Sequence, residues 1–191
     1  MNDPPPSADA RLTYGDHPSQ FVDFRRAAQG TTIRSSRPLA VMIHGGFWRA
    51  RRDLTYAGHL CIALGEAGYA TANIEYRRVG EEGGAWPGTF DDVKRAIHFA
   101  RERAVEFDAD PARTIVLGHS AGGHLALWVA AEITDLVGAI GLAPVADLLR
   151  CWELHLSNDA VVELSAARRR SFPTAIGWPM LRCVPLPSGG C

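Results

Sequence analysis

From residue 39 onward, short uninterrupted apolar runs alternate with longer stretches whose apolar residues recur at helical spacing. Leu39-Ala40-Val41-Met42-Ile43 is the kind of run that a strand buried on both faces requires. Leu54, Ala57, Leu60, Cys61 and Leu64 then fall on a helix, with Asp53 as its N-cap and Gly68 as its stop. Tyr69 to Ile74 predicts the next strand, and a Gly-rich loop from Arg77 to Gly88 leads to a second helix carrying Phe90, Val93, Ala96, Ile97, Ala100 and Val105. Asp108 to Pro111 turns the chain into a strand at Thr114–Leu117, a third helix to about Glu132 and a strand from Leu136 to Leu142. Upstream, residues 11–26 alternate loosely and predict two short strands at a sheet edge. Residues 1–10, rich in Pro, Ser and Asp, predict a disordered tail.

This order predicts an α/β fold with a doubly wound, mostly parallel sheet. One domain over residues 11–164 suits a chain of 191 residues. The net charge of −1 excludes nucleic acid and anionic membranes as main partners. No apolar run of about 18 residues is available to span a bilayer. The opening Met-Asn-Asp-Pro-Pro-Pro is not a secretory signal, so the expectation is a cytoplasmic protein. The four cysteines, at 61, 151, 183 and 191, lack metal-ligand spacing and are expected as reduced thiols, with no metal and no organic cofactor implied. There is neither a GxGxxG after the first parallel strand nor a GKS/T phosphate loop, which argues against nucleotide binding.

The chemistry concentrates in two glycine-containing segments, each directly after an apolar strand. Gly118-His119-Ser120-Ala121-Gly122 fits G-x-S-x-G between a buried strand and an Ala-rich helix, the context of a nucleophile elbow. Gly118 and Gly122 allow neighbouring backbones to approach where a Cβ would clash. Ser120 then sits at a helix N-terminus, where free N–H groups favour developing negative charge. His44-Gly45-Gly46-Phe47-Trp48 follows the earlier strand, and the N–H groups of Gly45 and Gly46 are placed to receive a substrate oxygen beside that of Ala121.

On HGGFW at 44–48 and GHSAGG at 118–123 the chain resembles the α/β-hydrolase fold, within it the esterase/lipase-like and kynurenine-formamidase-like members. Asp108-Ala109-Asp110-Pro111-Ala112-Arg113 and Ala143-Pro144-Val145-Ala146-Asp147-Leu148 are similar to the same group. The resemblance covers about residues 11–164. It implies a serine hydrolase of small-molecule carboxylic esters or aryl-formamides, with an acyl-enzyme on Ser120 and an oxyanion hole of Gly45, Gly46 and Ala121. Phe47, Trp48 and Trp86 are implied either as a pocket lining or as core and loop packing.

The family's acid and histidine follow the nucleophile, after later strands. Only His124 and His155 follow Ser120 here. His124 lies within the elbow helix and is expected to pack; His155 would need unusual geometry to act as a base; Asp147 is either an acid or a helix N-cap. The expectation is an α/β-hydrolase core lacking its last strands, with a catalytically inactive fragment or a non-catalytic binding module as the rival to an active esterase. Residues 165–191 are expected to be an irregular segment. From Leu164 onward there is no Asp, Glu or His, and Lys94 is the single lysine among 20 basic residues of the chain. A GC-rich coding sequence read out of frame has this composition; a natural pseudoenzyme and a truncated gene are the alternatives.

Overall fold

The apolar runs pair into one sheet in the computed structural model, which describes residues 4–28 and 37–166. Among the described residues six strands line up in the order β1-β2-β4-β3-β5-β6. They are β1 (Ala10–Thr13), β2 (Phe21–Arg25), β3 (Arg37–Ile43), β4 (Ala70–Ile74), β5 (Ala109–His119) and β6 (Gly138–Leu142). β1 and β2 are the expected edge pair and run antiparallel; β4, β3, β5 and β6 are mutually parallel. The helices are α1 (Gly58–Glu66), α2 (Gly88–Arg103), α3 (Ala121–Glu132), α4 (Leu148–Glu153) and α5 (Ala160–Leu164), with 3₁₀ turns at Leu54–Ala57 and Ala104–Phe107.

Strand β3 explains why the sheet is covered on both sides. Leu39, Val41 and Ile43 face the larger core with Phe90, Val93, Ile97, Leu125 and Trp128 of α2 and α3. Ala40 and Met42 face the smaller one with Ala57 and Cys61 at α1. Every one of the five is at most 1% exposed, so a polar residue anywhere in the run would lose its water without gaining a partner. Burial also pushes the Cys61 and Cys151 thiols up to about 11, which keeps both protonated and inert at neutral pH. The other two cysteines lie outside the described residues.

Two expectations shift, and one pair of alternatives is decided. β5 starts at Ala109 rather than at Thr114, because Asp108 alone makes the turn, with φ +59°. Its first residues pair with Arg37 and Pro38, and the register then slips at Pro38/Leu39 to bring Leu39 opposite Thr114. Residues 4–9, expected as a disordered tail, run along the domain: Arg25 donates to the Pro6 carbonyl at 2.5 Å, and Asp9 accepts from the Arg26 N–H at 2.7 Å. Asp147 is a helix N-cap, its Oδ1 accepting from Arg150 N–H at 2.8 Å at the start of α4. Replacing it by alanine should lower stability by about 1 kcal/mol, measured as a shift of the denaturation midpoint at constant m-value; no loss would mean that α4 is held by Leu148 and Cys151 alone.

The parallel sheet ends in an exposed row. β6 has a neighbour on one side among the described residues, and its Ile140 and Leu142 are 45% and 36% exposed. The segment from 167 onward, singled out above for its composition, lies outside the described residues.

Candidate active site

Ser120 stands between the last residue of β5 and the first of α3, with φ +55° and ψ −118°. A non-glycine residue is held there only when its surroundings over-determine it. They do so through backbone: Ser120 N–H donates to Leu142 O at 2.9 Å, and Ser120 O accepts from His124 and Val145 N–H, both at 3.1 Å. A Cβ on Gly118 would fall on the Gly122 carbonyl, and one on Gly122 on the carbonyl oxygens of Ile43 and His44. The second of these close approaches seats the N-terminus of α3 against the end of β3. It thereby brings the elbow to the 44–48 segment.

That segment turns through left-handed backbone at Gly46, Phe47 and Trp48, with φ of +113°, +54° and +58°. Phe47 is half-buried at the cavity, whereas Trp48 is fully buried in the core, edge-on to His124 at 5.5 Å between ring centroids. Of the two roles implied for Trp48, the structure therefore assigns core packing. Trp86 is half-buried and edge-on to Phe90 at 4.9 Å, and it is not among the described residues that line the Ser120 cavity. That cavity, of about 390 Å³, is bounded by Gly46 and Phe47, by Arg51, Arg52 and Tyr56 below, and by His119 and Ser120.

The N–H groups divide unexpectedly. Gly45 N–H, expected to face a substrate oxygen, donates instead to the Tyr56 hydroxyl. Among the described residues no protein group accepts from the N–H of Gly46, Phe47 or Ala121. The N–H groups of Gly46 and Ala121 are thus left without a protein acceptor, and Phe47 adds a third such backbone donor that reading by glycine alone overlooked. No described side chain hydrogen-bonds the Ser120 hydroxyl. His124 is buried against Trp48 and Phe90, and His155 is exposed, with Nδ1 3.1 Å from Asp159 Oδ1.

Beneath the 44–48 segment lies a buried polar network. Glu75, 2% exposed, has Oε1 2.8 Å from His44 Nε2 and 3.1 Å from Arg78 Nη1, and its Oε2 accepts from Leu54 N–H at 3.0 Å. The His44 ring is stacked on Tyr76 at 4.6 Å, and the Tyr76 hydroxyl donates to His44 O at 2.8 Å. Burial pushes the Tyr76 phenol well above its ordinary range, so it is a donor at any physiological pH. One carboxylate thus ties the start of the glycine loop, the 3₁₀ turn carrying Tyr56 and the end of β4. The signal available in sequence was a Glu closing the strand that alternates alanine with Thr and Asn, Ala70-Thr71-Ala72-Asn73-Ile74-Glu75.

Residues 29–138 match the family model described as BD-FAE. Esterase LipC of Mycobacterium tuberculosis (strain ATCC 25618 / H37Rv) is 32% identical over 126 residues, covering 65% of this chain and 30% of that protein. The probable carboxylic ester hydrolase LipM of the same strain is 29% identical over 128 residues, covering 66% and 29%. Among solved structures, inhibited esterase B from Lactobacillus rhamnosis superimposes with a TM-score of 0.70 at 21% identity, over 87% of this chain and 59% of that one. The chain therefore spans less than a third of the length of these two curated relatives, and the structural likeness carries the fold.

Proposed function

The chain belongs to the BD-FAE family, an esterase/lipase-like group of the α/β-hydrolase fold, and on that footing we propose that it carries the nucleophile and oxyanion half of a carboxylic ester hydrolase. The observation that supports this is the juxtaposition at the elbow: a strained Ser120 opening on a cavity beside three N–H groups without a protein acceptor. Attack of Ser120 Oγ on an acyl carbon forms the C–O bond and moves the carbonyl π pair onto oxygen. The N–H groups of Gly46, Phe47 and Ala121 receive that oxygen, and such donors act most strongly on the charge that develops in the transition state. Collapse expels the alcohol and leaves an acyl-Ser120 that water resolves. Phe47 supplies the apolar wall for the acyl or aryl part, and an aryl-formamide offers the same carbonyl to the same donors. The hydroxyl proton needs a base, and none of the described side chains fills that place.

The test is covalent labelling with a small alkyl fluorophosphonate, in which the Ser120 O–P bond forms as the P–F bond breaks. Peptide mass mapping should find the label on Ser120 ahead of every other serine, at the slow rate of a hydroxyl whose proton no described side chain takes, and any turnover of p-nitrophenyl butyrate should fall as labelling proceeds. A folded protein that leaves Ser120 unlabelled while fluorophosphonate is in excess would refute the reading.

A further inference from the structure

Tyr56 stands where the sequence placed no chemistry, on the 3₁₀ turn after the glycine loop, and it lines the same cavity as Ser120. A Cβ built on Gly45 would lie 2.9 Å from the Tyr56 oxygen and 3.1 Å from Ser120 Cβ, so the two side chains bracket one point. The hydroxyl accepts from Gly45 N–H, which uses a lone pair and leaves its proton to be donated elsewhere. Among the described residues the remaining partner is His119 Nδ1 at 3.3 Å, long for an O–H donor. We propose that the Tyr56 hydroxyl is itself a donor to the oxyanion formed on Ser120 chemistry, passing the Gly45 N–H on in series. This rests on the function proposed above and extends it by a side-chain donor.

Hydrogen bonds tie the backbone leading to Tyr56, which is itself 44% exposed. Thr55 N–H is capped by Asp53 at 2.9 Å and Leu54 N–H by Glu75 at 3.0 Å, on either side of the backbone just before Tyr56. The phenol ring stands edge-on between the imidazoles of His119, at 5.9 Å, and His44, at 6.4 Å. A donor that also accepts is polarised by the bond it accepts, and it needs no reorganisation when charge appears beyond it. Burial raises the phenol above its ordinary value, so the hydroxyl keeps the proton it is to donate.

An equilibrium adduct tests this without demanding a catalytic base. Phenylboronic acid accepts the Ser120 oxygen lone pair at boron, the hydroxyl proton passes to buffer, and boron becomes a tetrahedral anion visible by ¹¹B NMR. Tyr56→Phe should weaken that adduct by about 10- to 100-fold. Acetophenone, which brings an uncharged carbonyl to the same cavity, should bind both proteins alike. Fluorination of the Tyr56 ring acidifies the phenol and should tighten the adduct, which keeps the test alive if the phenylalanine variant misfolds. Unchanged or tighter boronate binding by Tyr56→Phe would overturn the proposal and make the hydroxyl a plug on Gly45 N–H. A wild-type protein that forms no tetrahedral adduct overturns the serine chemistry itself, and this inference with it.

Discussion

Replacing Glu75 by alanine should destabilise the protein by about 3–5 kcal/mol, because the change strands several buried groups at once. His44 Nε2, Arg78 Nη1 and the N–H groups of Leu54 and Tyr76 all lose the carboxylate, at present distances of 2.8, 3.1, 3.0 and 3.2 Å. None of them has water within easy reach, since His44 is fully buried and the Arg78 side chain is 7% exposed. Arg78 would be left a buried cation beside Glu81 alone, while its Nη1 still holds the carbonyl of Arg52. Glu75→Gln should fall between wild type and alanine: an amide accepts on one side only and turns donors toward donors on the other. Urea denaturation reads both variants, and a loss under about 1 kcal/mol for Glu75→Ala would mean that the backbone bonds of residue 75, to Phe21 O and from Tyr14 Oη, hold the loop without the carboxylate.

That network marks the boundary of what the amino-acid sequence discloses. The elbow is legible because its constraints are local: two glycines at fixed offsets around Ser120, an apolar strand before and a helix after. The parallel order is legible for the same reason, since β3 carries the unbroken apolar run Leu39–Ile43, β5 the shorter one Ile115–Leu117, and a helical pattern separates each of them from β4. Glu75 and Tyr56 are not, because their partners arrive through the fold. Glu75 meets His44 across 31 positions and Leu54 across 21, and Tyr56 meets His119 across 63. Nothing in residue spacing distinguishes a Tyr that reaches a glycine loop from one that covers a helix. Trp48 shows the converse. Adjacent to Phe47 in one aromatic pair, it is turned into the core by left-handed backbone at both residues, a conformation that neither side chain advertises. The register slip at Pro38/Leu39 was equally hidden, because Asp108 to Pro111 has turn composition while all but Asp108 itself goes into the strand.

Gly122→Ala should be among the most damaging single-methyl changes in the protein, with a loss above about 4 kcal/mol or no soluble protein at all. The added Cβ would sit well inside 3.0 Å of two backbone oxygens, those of Ile43 and His44, and real Cβ atoms essentially never come so close. No side-chain rotation relieves that overlap. Either the N-terminus of α3 retreats from the end of β3, or β3 shifts within a sheet where Ile43 pairs with Ile74 on one side and Gly118 on the other. Both routes separate Ser120 from the N–H groups of Gly46 and Phe47, so any protein that does fold should also lose boronate affinity. Gly138→Ala is the matched control. It adds the same methyl in β6 with nothing within 4 Å, and it should be neutral or stabilise by up to about 1 kcal/mol through the unfolded chain. Equal midpoints for the two variants in thermal and urea unfolding would show that the elbow and the glycine loop are not packed backbone against backbone.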